Sequence, residues 1–165
     1  MSMKVKTVNP ALNNTSSNRP VAKKQTEDFQ TTTGSLNEDD QMMYDELEHA
    51  GVDLIKNPLS WQKKHVKSLA FPPFTAPAAL KRTWIAKMEQ LPADKKTQIQ
   101  HDSSTLWLSE LRTNQSLETD VQKPGFSYDN FITKMIHNAK KIPQILSDAG
   151  STVNFLSEFQ KTPKA

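Results

Sequence analysis

Residues 75–91 read TAPAALKRTWIAKMEQL, with Leu80, Trp84, Met88 and Leu91 recurring every three to four positions. This is the period of an α-helix that buries one stripe, and it is the cleanest amphipathic pattern in the chain. Thr75 is placed to cap that helix. Immediately upstream, Phe71-Pro72-Pro73-Phe74-Thr75-Ala76-Pro77 cannot be helical, because adjacent prolines remove amide donors and drive the residues before them toward extended geometry. A stiff connector therefore feeds a helix.

Farther toward the amino terminus, Asn57 and Pro58 suit a cap and a first helical position, and Leu59, Gln62, Val66 and Leu69 fall on one face. A second helix is expected there, ending before Phe71. Asn37 is a good cap, and Glu38, Asp39 and Asp40 follow in the first turn, where the helix dipole favours acids. Met43, Leu47 and Ala50 keep helical spacing and Gly51 supplies a left-handed stop, which predicts a first helix over about 38–50. The first 35 or so residues are Asn-, Ser-, Thr-, Lys- and Gln-rich without apolar periodicity, and they cannot offset a backbone entropy of ~1–2 kcal/mol per residue.

Toward the carboxyl terminus, Pro92 and Asp94 open a helical region with Ile99, Ser103, Leu106 and Glu110 on one face. Thr113 to Tyr128, with Pro124-Gly125 inside it, reads as a loop with a turn. Ser127 starts a helix carrying Phe131, Met135, Ile136, Ala139 and Ile142, and Pro143 forces a kink or restart. Ile145, Leu146 and Ala149 continue the apolar pattern to Gly150, and Ser151 is expected to cap a last helix with Val153, Leu156 and Phe159 inward. No strand-like alternation and no internal repeat is visible. The expected fold is all-α: residues 1–36 a disordered arm, basic and then acidic, and residues 37–165 a single helical domain of about five to seven helices with a proline-rich connector at 71–77.

Composition narrows the function. A length of 165 residues suits one core plus an arm, and the 35% apolar content is low for a chain that is packed throughout. Only four glycines occur, no two close together, which excludes phosphate-cradling GxxxxGK and GxGxxG loops. The absence of cysteine removes disulfides, thiolate nucleophiles and thiolate metal sites. No apolar run approaches the ~20 residues of a membrane span, and no secretory-type apolar stretch opens the chain. A soluble protein of the cytoplasm or of a virion is expected, with no cofactor and no metal. His49, His65, His101 and His137 form no ligand pair, and His101-Asp102-Ser103-Ser104 reads as a helix cap more simply than as a catalytic set.

The formal charge of +3 conceals three single-sign blocks. Lys4, Lys6, Arg19, Lys23 and Lys24 stand in residues 1–26 without an acid, a net +5. Glu27 to Asp53 carry nine carboxylates and no Lys or Arg, and Leu54 to Met88 carry seven Lys or Arg and no carboxylate. The remainder is neutral. Such segregation points to association, either between blocks or with outside partners.

The second basic block interleaves cations with aromatics: Trp61, Lys63, Lys64 and Lys67, then Phe71 and Phe74, then Lys81, Arg82, Trp84 and Lys87. Lysines and arginines neutralise phosphates, and exposed aromatic faces stack on unpaired bases. The nucleic-acid-binding residues expected from sequence are Lys4, Lys6, Arg19, Lys23, Lys24, Trp61, Lys63, Lys64, Lys67, Lys81, Arg82 and Lys87. Trp84 suits the core through its stripe with Leu80 and Met88.

The leading expectation is a non-enzymatic helical protein that binds nucleic acid or another polyanion, or self-assembles through opposite charges, as in a viral or phage structural protein or a nucleic-acid-associated factor. The acidic segment could instead fold back on residues 56–87 and compete with a polyanion. In composition alone, the acid-free arm resembles the uncleaved leaders of substrates exported by bacterial contact-dependent secretion systems, which implies an exported protein. An adaptor that displays the Phe71–Pro77 connector as a rigid ligand is a third class.

Overall fold

The computed structural model describes residues 36–164. These are all-helical: α1 (Glu38–His49), α2 (Leu59–His65), α3 (Ala78–Glu89), α4 (Ala93–Thr113), α5 (Leu117–Asp120), α6 (Tyr128–Lys141) and α7 (Ala149–Lys161), with one 3₁₀ turn at Pro143–Ile145 and, among the described residues, no strand. The basic part of the expected arm, with Lys4, Lys6, Arg19, Lys23 and Lys24, lies outside the described residues.

α4 runs unbroken for 21 residues, roughly 30 Å at the α-helical rise. α5, α6 and α7 pack on α4, α6 and α7 pack on each other, α3 leans on α7, α1 on α3, and α2 on α5. The stripe read from sequence is the buried face of α3: Leu80, Trp84 and Met88 are buried and Leu91 packs at the edge of the core. Trp84 meets Phe71, Phe155 and Phe159 edge-on, at ring-centroid distances of 5.3, 5.1 and 5.1 Å. Edge-to-face contact of this kind adds to area burial because the electropositive ring edge meets the electronegative face of its neighbour.

Several local expectations are overturned, each for a tertiary reason. α3 starts after Pro77 instead of at a Thr75 cap, and its free Ala78 amide donates to Asp39 Oδ1 of α1 at 2.8 Å. α2 stops at His65, where Val66 turns extended, so Val66 and Leu69 share no helical face and Leu69 is 73% exposed. Ser68 is buried in place of Leu69, its carbonyl accepting the Trp107 indole N–H at 2.9 Å. The connector packs largely into the core and is not displayed as a rigid ligand: Phe71, Pro73 and Ala76 are fully buried, and Pro72, Phe74, Thr75 and Pro77 are half-buried. The interval between Thr113 and Tyr128 contains α5, anchored by buried Leu117 and Val121. α7 begins one residue before Gly150, capped by Asp148, whose carboxylate accepts the Ser151 amide.

Asp102 is not a cap. It sits in the interior of α4 with no exposure, accepting N–H from Ser147 at 2.7 Å and Asp148 at 3.0 Å, the Thr152 hydroxyl at 2.9 Å and the Gln98 amide at 2.6 Å. Its carboxylate thereby satisfies the backbone of the turn that delivers α7. Ser127 does cap α6 as expected, accepting the Asn130 amide.

Candidate nucleic-acid interface

The basic block does not form one patch. Lys63 Nζ lies 2.7 Å from Asp40, Arg82 Nη1 2.5 Å from Glu38, and Lys81 Nζ 2.5 Å from Glu46. All three carboxylates belong to α1. Lys81 is only 3% exposed and also donates to the Phe74 carbonyl at 2.8 Å, so it is a structural cation in this arrangement. The acidic and basic blocks therefore meet within one chain, and Lys63, Lys81 and Arg82 are engaged with α1.

The cations that remain cluster around α2. Lys56, Lys64 and Lys67 are exposed, and among the described residues none of them makes an ion pair. Half-buried Lys87 on α3 likewise has no carboxylate partner there. Trp61 is 46% exposed and stacks on His65, with ring centroids 4.3 Å apart and planes 20° from parallel. His65 Nδ1 is 2.9 Å from the Trp61 carbonyl, which ties the imidazole back to its own helix and steadies the stacked pair. Two further apolar side chains in this short segment face water, Ile55 at 95% and Leu69 at 73% exposure. Buried Gln62 and the bond from Gln122 Nε2 to the Lys63 carbonyl fasten α2 to the body behind.

Beneath the segment lies Glu118, whose carboxylate accepts the backbone N–H of buried Ser68. Burial pushes the Glu118 pKa up, against the opposing pull of the Ser68 hydrogen bonds and the Lys67 ammonium. Burial, aided by the charge of Glu118, also raises the Tyr128 phenol. These groups are packed behind the surface and do not face it.

No catalytic arrangement is assembled from the residue types flagged in sequence. His101 is exposed and 3.5 Å from Asp102 Oδ1, but that carboxylate is fully occupied by the turn before α7, and Ser103 is buried. An open groove of about 530 Å³ runs along α3 and α4 past Trp84, Ile85, Met88, Gln100 and His101. No helix among the described residues is long and apolar enough to cross a membrane, and no group of three or more His, Asp or Glu there could hold a metal ion.

The burial of Lys81 and the role of Asp102 escape a reading by local pattern. Asp102 carries a usable signal, since it lies three residues after Ile99 and four before Leu106, beside the buried stripe. Lys81 carries none beyond the opposite signs of the two blocks. Compared with protein-family models, characterised proteins and solved structures, the chain matches none.

Proposed function

We propose that this chain is a non-enzymatic helical interaction protein that binds single-stranded nucleic acid through the surface of α2 and the residues flanking it. The observation that carries the reading is the partly exposed Trp61–His65 stack among Lys56, Lys64 and Lys67, exposed cations that make no ion pair with a carboxylate of the described residues. An exposed indole offers a face to an unpaired base, a contact of ~1–3 kcal/mol, and each lysine that meets a phosphate releases counterions. Unpaired bases are favoured over duplex because stacking on Trp61 requires a free base face. A role in a particle or in a nucleic-acid-associated assembly follows the same chemistry.

Anisotropy of a fluorescein-labelled oligothymidine over a salt series tests the reading. Binding should weaken as salt rises, with a log–log slope of roughly 0.7 per phosphate contact. Trp61→Ala should weaken it about 5- to 160-fold, as loss of one stacked base implies, and Lys64→Glu/Lys67→Glu should flatten the slope. No binding up to about 100 µM at physiological salt, the weak end of ordinary non-specific affinity, would sink the reading.

A further inference from the structure

We infer that α1 is a displaceable acidic cover, a built-in mimic of the polyanion, that yields the basic surface of α2 and α3 when nucleic acid binds; this rests on the function proposed above. The carboxylates of α1 take the positions phosphates would take. Glu38 holds Arg82, Asp40 holds Lys63, Glu46 holds Lys81, and Asp39 accepts the Ala78 N–H at the start of the 12-residue α3. Guanidinium, ammonium and a helix-start amide are the donors that bind phosphate oxygens elsewhere in proteins.

The attachment of α1 is suited to exchange. Its buried apolar residues are Met43 and Leu47, and neither belongs to the continuous core that joins the connector, α3, α4, α5, α6 and α7. Among the other helices it packs chiefly on α3. Three ion pairs add to the hold of Met43 and Leu47, and two of them lie at the surface, where salt screens them and a denser anion can compete. α1 is closed off from the chain that follows by Gly51 at φ +90°, where the Gly51 and Val52 amides return to the Glu48 and Leu47 carbonyls. Departure would add Lys63, Arg82 and Lys81 to the cations around α2.

Two variants of equal charge separate this mechanism from a general gain in positive charge. Glu38→Gln/Asp40→Asn removes two pairing acids, and Asp45→Asn/Glu48→Gln removes two acids of α1 that make no ion pair with the described cations. The first should bind oligothymidine at least about threefold tighter than the second, with a salt slope steeper by about 1.4, two further contacts at ~0.7 each. Hydrogen exchange of the wild-type chain gives an independent readout. Saturating oligothymidine should speed exchange of the α1 amides and leave α4 and α7 unchanged. Equal affinities and slopes in the two variants, with α1 protection unchanged or increased on binding, would overturn the cover and leave nucleic-acid binding standing. Absence of binding by all three proteins would remove both.

Discussion

Lys81 and Glu46 form an ion pair, Nζ to Oε1 at 2.5 Å, in which the lysine is buried while the carboxylate keeps about a third of its side chain in water. The two partners are therefore unequal. Truncating the acid leaves an ammonium inside the protein with only the Phe74 carbonyl to satisfy it. Truncating the lysine lets Glu46 turn to solvent and costs mainly the donor to Phe74. Glu46→Ala is expected to destabilise by about 2–3 kcal/mol and Lys81→Met by no more than about 1 kcal/mol. Urea unfolding measures both, and the reverse order would count against a buried cation at position 81.

Two of the buried carboxylates, Asp102 and Glu118, should give opposite pH signatures. Burial alone would raise the Asp102 pKa, but the amides of Ser147 and Asp148 with Thr152 and Gln98 outweigh it, and the carboxyl is held below its usual range. Its contribution is thus present above the unfolded value of about 3.9 and is lost as pH falls through the lower folded value. Asp102→Asn should cost about 2–4 kcal/mol at neutral pH, with a cost that shrinks in acid, where the wild type loses the same bonds.

Glu118 has its pKa raised, chiefly by burial. The folded state then holds that proton more tightly than the unfolded chain, so stability falls as pH rises from about 4.3 through the folded value. The effect of Glu118→Gln should become more favourable with rising pH, the opposite trend to Asp102→Asn. Melts of the three proteins over a pH series check this, and parallel trends for the two variants would refute the assignment.

Two glycines should respond with opposite signs. Gly51 adopts φ +90°, and a Cβ there would meet nothing within 4 Å, so Gly51→Ala should cost about 1–2 kcal/mol through the left-handed backbone alone. Gly150 lies in the first turn of α7 with no such φ, and an added Cβ would make ordinary contact with Asp148 Oδ1 at 3.6 Å. Gly150→Ala should stabilise by about 0.4–1 kcal/mol by restricting the unfolded chain. Thermal unfolding of both variants decides it.

The two tryptophans named in the basic block should separate stability from binding. Trp84 is surrounded by Phe71, Phe155 and Phe159, and Trp84→Ala should cost about 3–5 kcal/mol. Trp61→Ala should change stability by about 1 kcal/mol or less, since the indole is half in water. A large loss of stability in Trp61→Ala would place that ring in the core and remove it from the proposed interface.

Periodicity alone carried the all-helical class, the α3 stripe of Leu80, Trp84 and Met88, the Ser127 cap and the Gly51 stop, because each depends on neighbours within one or two turns. The order of charge along the chain likewise marked the two blocks that meet across α1 and α3. Which carboxylate meets which cation was decided only in three dimensions. Lys81 looks like a surface lysine until Glu46 and Phe74, 35 and 7 residues away, close over it. Asp102 looks like a cap until Ser147 and Asp148 bring their amides to it from 45 and 46 residues along the chain. A local window records what a residue prefers. Long-range packing sets which groups are desolvated together, and here that selected the basic side chains left in water around Trp61.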